Sequence, residues 1–286
     1  MTRTPFALLV VTSALSFSHA SRLASFYGAR LRGGGADESS EPHDPVRVEI
    51  QKKLNGCPCF CILNEDGVQL GVLGEDGGLT VGWYTEPADA MAQLAAMQEG
   101  SPDGAEGLHL GCMGLGDIFA LCGGWDESEG GAERNEKRVI YGPRKVVEVA
   151  APMLVEQLNK QGMDPGDWQL PVFCHDDFQT DTLMPFFFSA EELASGWARN
   201  GREGPAPENP LVMDLRMLVN AMTQNADVRG KATVVTSTES YALASELITA
   251  LRAKEASESA DDESEAGDAD AAAEDKEEED DDPTLE

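Results

Sequence analysis

The sequence has few basic residues for its length. Its 286 residues include 21 Lys and Arg against 52 Asp and Glu, which gives a formal net charge of −31. Affinity for nucleic acid rests on Lys and Arg side chains that neutralise phosphates, so the composition argues strongly against a protein that binds nucleic acid. Binding to an anionic membrane surface is disfavoured for the same reason.

Motifs that carry catalytic chemistry are also missing. Segment 111–116 contains glycines but lacks the Lys-Ser/Thr pair of a Walker loop, and no Gly-x-Ser-x-Gly nucleophile elbow is present. His109 and His175 are the histidines that follow residue 43. His175-Asp176-Asp177 could form a metal patch, but no second ligand pair has the spacing of a metal site, which favours a solvated turn. We predict no catalytic, cofactor-binding or metal-binding residue.

No long apolar run follows residue 36, so we expect a soluble mature protein. Residues 1–36 contain four Arg and no acid. A short apolar run ends there in Ser18-His19-Ala20, which signal peptidase accepts, and predicts a signal peptide over residues 1–20. Residues 21–36 are basic and acid-free, as transit peptides are. The two segments together are typical of the address of a secondary plastid, reached through the endomembrane system. An ordinary secreted protein with a basic mature end is the alternative.

The C-terminal residues 254–286 carry 17 acidic and 2 basic side chains and no aromatic residue. Such a segment cannot bury enough apolar surface to offset the entropy of ordering, so we predict a disordered acidic tail. A solvated tail is favoured over an acidic arm that holds basic partners. Residues 37–53 are predicted to be a linker between the leader and the folded part.

Residues 54–160 and 161–253 show the same order of patterns, which predicts an internal duplication of two repeat units. The pattern of each unit predicts strand, strand, helix, strand, helix, strand, helix. We therefore predict an α/β fold with mixed sheets and one extended core. The first strands are predicted at 57–62 and 170–174, and each forms a hairpin with the next strand through a turn that bears Gly or Asp.

Matching apolar stripes align the helices of the two units. Asp117 aligns with Asp214, and both are predicted to be helix N-caps and not catalytic acids. Thr85 and Ser189 are the predicted hydroxyl N-caps of the preceding helices. The predicted buried positions are Met91, Leu94 and Ala95 after Thr85, and the aligned pairs Ile118 with Leu215, Leu121 with Leu218, Cys122 with Val219, and Trp125 with Met222.

Three of the six cysteines, Cys57, Cys59 and Cys61, alternate along the first predicted strand. Alternate strand residues lie on one face about 6.6–7 Å apart, which is too far for an easy disulfide. Their spacing also lacks the two-residue gap of common zinc sites. The aligned segment 170–174 has Leu, Val and Cys at these positions. Buried structural thiols are therefore favoured over a redox or metal site.

Three motifs of the second unit are the most specific in the chain: Leu170-Pro171-Val172-Phe173, the segment 185–193 (Pro-Phe-Phe-Phe-Ser-Ala-Glu-Glu-Leu), and Val212-Met213-Asp214-Leu215. With the pattern around them, from about residue 50 to 252, they resemble the Tic-twenty-two family. The departures are Cys57-Pro58-Cys59, where that family usually has an aliphatic strand start, a Gly-rich acidic insertion at 126–136, and the acidic tail.

The resemblance implies a non-enzymatic factor without a cofactor, associated with the translocon of the inner chloroplast envelope. It implies a chaperone-like escort of preproteins, in the intermembrane or periplastid space of a secondary plastid. The implied partners are preproteins and translocon subunits, with no nucleic acid and at most peripheral contact with a membrane. Two alternatives stay open: a plastid-targeted regulator or enzyme with the same duplicated fold, and a redox or metal protein that works through its cysteines.

Overall fold

The structure, a computed structural model, describes residues 44–74, 78–100, 107–125 and 136–253. The predicted signal peptide, transit segment and acidic tail lie outside these residues, and so does the insertion except for its last residue. Within the described ranges, no helix combines the length and the apolar character that crossing a bilayer requires.

The first half of the described chain forms one mixed sheet. A helix precedes the sheet, and the last helix of this half follows its fifth strand. The elements are α1 (Pro45–Leu54), β1 (Pro58–Leu63), β2 (Val72–Leu73), β3 (Leu79–Tyr84), α2 (Pro87–Gly100), β4 (His109–Gly114), α3 (Leu115–Leu121), β5 (Glu136–Tyr141) and α4 (Arg144–Lys160).

The second half forms a separate four-stranded sheet. A short 3₁₀ turn, Asp176–Phe178, lies between its first two strands. The elements are β6 (Pro171–Cys174), β7 (Met184–Phe187), α5 (Ala190–Arg199), β8 (Leu211–Asp214), α6 (Leu215–Gln224), α7 (Ala226–Lys231), β9 (Ala232–Val235) and the helix α8 over 238–253.

Apart from the two-residue strand β2, which pairs with β3, the two sheets have the same strand order. In the first sheet β1 pairs with β4 and β3, and β5 pairs with β3; in the second, β6 pairs with β8 and β7, and β9 pairs with β7. The pairs β3–β5 and β7–β9 are parallel, and the others are antiparallel. Phe60 pairs with Tyr84 as Phe173 pairs with Phe187. The predicted mixed α/β fold is confirmed, and the common origin of the two units stays a prediction.

The helix alignment predicted from the apolar stripes is wrong by three residues. The amide of Leu115 donates to the carbonyl of Cys57 (2.8 Å), and that of Leu215 donates to Leu170 (2.9 Å), so Leu115 corresponds to Leu215. Ile118 therefore corresponds to Leu218. A stripe that repeats about every turn looks alike after a shift of one turn, which is why spacing alone did not fix the alignment.

Two of the four predicted N-caps are also wrong. Asp214 and Ser189 cap their helices through the amides of Arg216 and Glu192. The residue before α3 is Gly114, and Asp117 instead accepts hydrogen bonds from the side chains of α1. Thr85 lies one residue before the N-cap position of α2. Glu86 takes that position, because its carbonyl accepts the first hydrogen bond of the helix, from the amide of Ala90 (3.2 Å).

The described part of the predicted linker is a helix and not a linker. Helix α1 begins with Asp44 as N-cap and Pro at its first position, a strong start signal. Ile50 and Leu54 are completely buried. They join one central apolar cluster with Cys57, Cys59 and Cys61, both sheets, α3 and α6. This shared cluster agrees with the predicted extended core.

The last helix of each half packs on the sheet of the other half. Ala244 and Ile248 of α8 belong to the cluster formed by Phe60 and Ile62 of β1. Helix α4 contacts β6 and β8, and the side-chain amide of Gln157 donates to the carbonyl of Val212 (3.4 Å). The exchange of closing helices ties the two halves into one structure. It also decides how each sheet is covered on its outer face, the face turned away from the central cluster.

Candidate functional site

A groove of about 710 Å³ lies over the β3–β5 side of the first sheet. Helices α2 and α8 contribute to the cluster that covers the neighbouring β1–β4 side. The groove is bounded by α2, the segment 70–74, the first turns of α4 and the connector 167–169. Its floor includes Tyr84 and Tyr141, whose rings stack at 5.1 Å with an interplanar angle of 26°. Tyr141 is 38% exposed, so the groove offers an aromatic surface to solvent.

Gly82 shapes the floor of this groove. A Cβ built on Gly82 would lie 2.7 Å from Cε2 of Tyr141 and 3.1 Å from the hydroxyl of Tyr84. The first contact is shorter than real Cβ atoms show and the second is tighter than most, so the tyrosine rings keep their positions because residue 82 has no side chain. The glycine in this strand is therefore explained by a close approach of the rings and not by a turn.

The outer face of the second sheet is filled at the corresponding place. Phe187, the counterpart of Tyr84 in the strand pairing, is only 3% exposed. Phe178 packs edge-on against it at 5.4 Å and against Trp197 at 5.6 Å. Gly196 of α5 allows this approach, because a Cβ there would lie 2.9 Å from the Phe187 ring. The residue equally far from the start of α2 is Gln93, whose longer side chain lines the groove.

A buried ion pair holds the connector that forms one side of the groove. Asp214 accepts from Nε of Arg216 (3.0 Å) and from the amide of Leu170 (3.0 Å). Arg216 donates to the carbonyl of Trp168 (2.6 Å) and lies 4.5 Å from the centre of its ring. Removing either charge would leave the other one buried without its ionic partner. The pair therefore fixes Trp168 in place beside the groove.

The charged residues that line the groove are mostly acidic. Asp89, Glu148 and Asp167 face one arginine, Arg144. Nε of Arg144 is 3.0 Å from Glu148, and Lys137 is 2.8 Å from Asp167, in two exposed ion pairs. Exposed pairs contribute little and exchange readily with other partners. The groove therefore combines aromatic surface with carboxylates at its rim.

The alternating cysteines lie inside the central cluster. All six cysteines are free thiols, and each is buried except Cys122, which is half-buried. Burial raises the pKa of Cys57, Cys112 and Cys122 to about 12, that of Cys174 to about 11, and those of Cys59 and Cys61 further still. A thiolate is the reactive and metal-binding form, so these groups are poor nucleophiles and poor ligands near neutral pH. The arrangement agrees with the structural role that the alignment favoured.

The two histidines lie far apart in the chain and have local partners. His109 is exposed, with Nδ1 2.9 Å from the carbonyl of Gly107. His175 accepts from the amide of Asp177 (3.1 Å) and begins the 3₁₀ turn. Among the described residues, no group of three His, Cys, Asp or Glu side chains is placed to hold a metal ion.

Sequence reasoning predicted the elements around the groove but not the groove itself. It placed Met91, Leu94 and Ala95 on the sheet. Leu94 does pack against the cluster over β1, but Met91 and Ala95 are exposed, and the buried residues of α2 are Pro87, Ala90 and Met97. Helix α2 is rich in alanine, so apolar spacing marks no single face. The signal that was available is Gly82 between β-branched and aromatic neighbours, since a glycine inside a strand indicates a close approach.

The geometry defines a mixed α/β fold with two equally ordered sheets, exchanged closing helices and one aromatic groove. The fold is that of Tic22. Tic22 from Plasmodium falciparum matches with a TM-score of 0.52 and 17% identity, over 70% of this chain and 98% of that chain. Anabaena Tic22, a protein of protein transport, matches with a TM-score of 0.44 and 17% identity, over 69% of this chain and 95% of that chain. The resemblance seen in the motifs is thus confirmed at the level of the fold.

Comparison with protein-family models gave no match. Comparison with curated proteins also gave none.

Proposed function

We propose that this chain is a plastid protein-import factor that escorts preproteins between envelope membranes without enzymatic activity. The observation that carries the proposal is the open groove on the outer face of the first sheet, in a chain with the Tic22 fold. A groove with apolar and aromatic surface is suited to capture an extended segment. A flat polar surface is not suited to this.

Charge supports the same proposal. The chain has a net charge of −31, and carboxylates outnumber the single arginine at the groove. Segments with the composition of transit peptides are basic and lack acids, so they are attracted to such a surface. The leader 1–36 of this chain has the composition of a plastid address, which supports a site of action in the intermembrane or periplastid space. Preproteins and translocon subunits are then its partners.

A matched pair of substitutions on α2 tests the groove as the client site. Ala96 is exposed and lines the groove, whereas Ala95 is exposed and does not line it. Ala96→Trp should fill the groove and weaken binding of an acid-free preprotein segment by about tenfold or more, while Ala95→Trp should leave binding unchanged. Fluorescence anisotropy with the full chain measures both affinities.

Aggregation of an unfolded client, followed by light scattering, gives the second readout. The wild type and Ala95→Trp should suppress aggregation, and Ala96→Trp should do so poorly. Equal suppression and equal affinity in both variants would remove the groove from the account. A wild type that neither binds basic segments at low salt nor suppresses aggregation would overturn the escort proposal in favour of a regulator.

A further inference from the structure

The groove floor has a feature that a purely apolar client segment would not use. The stacked rings of Tyr84 and Tyr141 line the groove together with carboxylates. The missing side chain at Gly82 leaves room for the rings in this position. The face of an aromatic ring attracts cations, and the attraction is strongest for a planar guanidinium that can stack on it. A surface that selected only apolar residues would gain nothing from three carboxylates at its rim.

The three carboxylates line the same groove as the two rings. Asp89 lies in the first turn of α2, and burial, the neighbouring Tyr141 and the charge of Asp89 together raise the pKa of Tyr84. Glu148 and Asp167 line the groove as well, each in an exposed ion pair that an incoming cation can replace. Arg144 is engaged with Glu148 through its side chain and with Asp89 through its amide (3.0 Å).

We infer that the groove is selective for arginine in an extended, acid-poor segment, with the guanidinium stacked on the Tyr84–Tyr141 pair and hydrogen-bonded to rim carboxylates. The inference rests on the proposed function, because it names the side chain by which the same groove selects its client. Lysine carries the same charge but is a compact ammonium group that does not stack. Arginine should therefore bind more tightly than lysine in otherwise identical segments.

The second half of the molecule lacks this arrangement. Phe187 occupies the place of Tyr84 and is covered by Phe178, and Pro185 takes the place of Gly82 in the strand. On that outer face the ring of Trp197 already has a guanidinium beside it, that of Arg202 at 5.3 Å. That contact shows, within this chain, the kind of pairing that the first half would offer to a client.

Three matched peptides test the inference with the full chain. Each is a short acid-free peptide of Ala, Ser and Leu, and the spaced basic positions are all Arg, all Lys or all Gln. Fluorescence anisotropy should rank affinity as Arg, then Lys, then Gln, with Arg about two- to fivefold tighter than Lys. Tyr141→Leu should abolish the Arg preference and leave the Lys affinity nearly unchanged, whereas Tyr141→Phe, which keeps the ring, should retain the preference.

The outcomes separate this inference from the proposed function. Equal affinity for the Arg and Lys peptides, with both weakened by Ala96→Trp, would overturn arginine selectivity and leave the groove as client site. An Arg preference that survives Tyr141→Leu would also overturn the inference, because the ring would not be its source. Binding that Ala96→Trp does not affect would remove the groove as client site and this inference with it, whereas a wild type that binds none of the peptides would overturn the proposed escort.

Discussion

The outer faces of the two sheets differ although their strands pair alike. On the second sheet, Gly196 lets α5 approach and Phe178 fills the remaining space above Phe187. On the first sheet, Gln93 stands where α5 has glycine, no described residue takes the place of Phe178 above the floor, and Tyr84 and Tyr141 stay accessible. One half thus fills its outer face with packed rings, and the other leaves a groove open on it. Since both halves share the strand order and both exchange a closing helix, a few side chains contribute much of the difference.

The largest expected difference between the two faces comes from removing one aromatic ring from each, at the corresponding residues Phe187 and Tyr84. Phe187→Ala should lower the free energy of unfolding by about 3–5 kcal/mol, because a buried aromatic ring leaves a cavity among packed neighbours. Tyr84→Ala should cost roughly 1–2 kcal/mol, since its ring is half-buried at an open groove. Denaturant unfolding measures both values. Equal losses would mean that the two faces are packed to the same degree.

A smaller effect on stability is expected at the helix residue that decides how closely the helix packs on the sheet, Gly196 in α5 and Gln93 in α2. Gly196→Ala should destabilise the protein by about 1–2 kcal/mol, because overpacking against the Phe187 ring exceeds the gain in helix propensity. Gln93→Ala, at the matching position of α2, should change stability by about 0.5 kcal/mol or less. Thermal and denaturant unfolding of the two variants give the comparison. A stabilising Gly196→Ala would show that α5 does not pack as closely as described.

Features of the fold that depend on neighbouring residues could be predicted from the sequence, and features that depend on distant contacts could not. The Ser189 and Asp214 caps depend on neighbouring residues and are found as predicted, and β1 and β6 begin within one residue of their predicted starts. Helix α1 was missed because its charged, weakly amphipathic sequence resembles a linker. The groove depends on exchanged closing helices and on the absence of a side chain at Gly82, and neither leaves a periodic pattern.

The pKa of Glu192 can be tested through the pH dependence of the free energy of unfolding, with an expected effect of about 1–2 kcal/mol. Burial, followed by the charges of Glu86 and Glu239, raises the pKa of Glu192 to about 7, although the Phe188 amide and Arg199 act in the opposite direction. The folded state therefore holds this proton more tightly than the unfolded state, whose pKa is near 4.5. The contribution of Glu192 to stability should be greatest below that value, fall as pH rises to about 7, and then stay level.

Glu192→Gln should flatten this fall and raise stability at pH above about 7 by about 1–2 kcal/mol, a value reduced for partial exposure. Gln still accepts from the Phe188 amide, so the capping box is kept. The control is Glu191→Gln on the exposed side of the same helix turn. An unchanged pH profile in Glu192→Gln would contradict the assignment.

The most direct test of the account places a photo-crosslinking residue at Ala92 and, separately, at Ser195 in the full chain. Both positions are exposed and stand equally far from the start of α2 and α5, but only Ala92 lines the groove. With an unfolded, acid-poor preprotein as client, the account predicts strong adducts from position 92 and few from position 195. Equal adducts from both positions, or adducts from 195 alone, would contradict the claim that the open face of the first half is the client site.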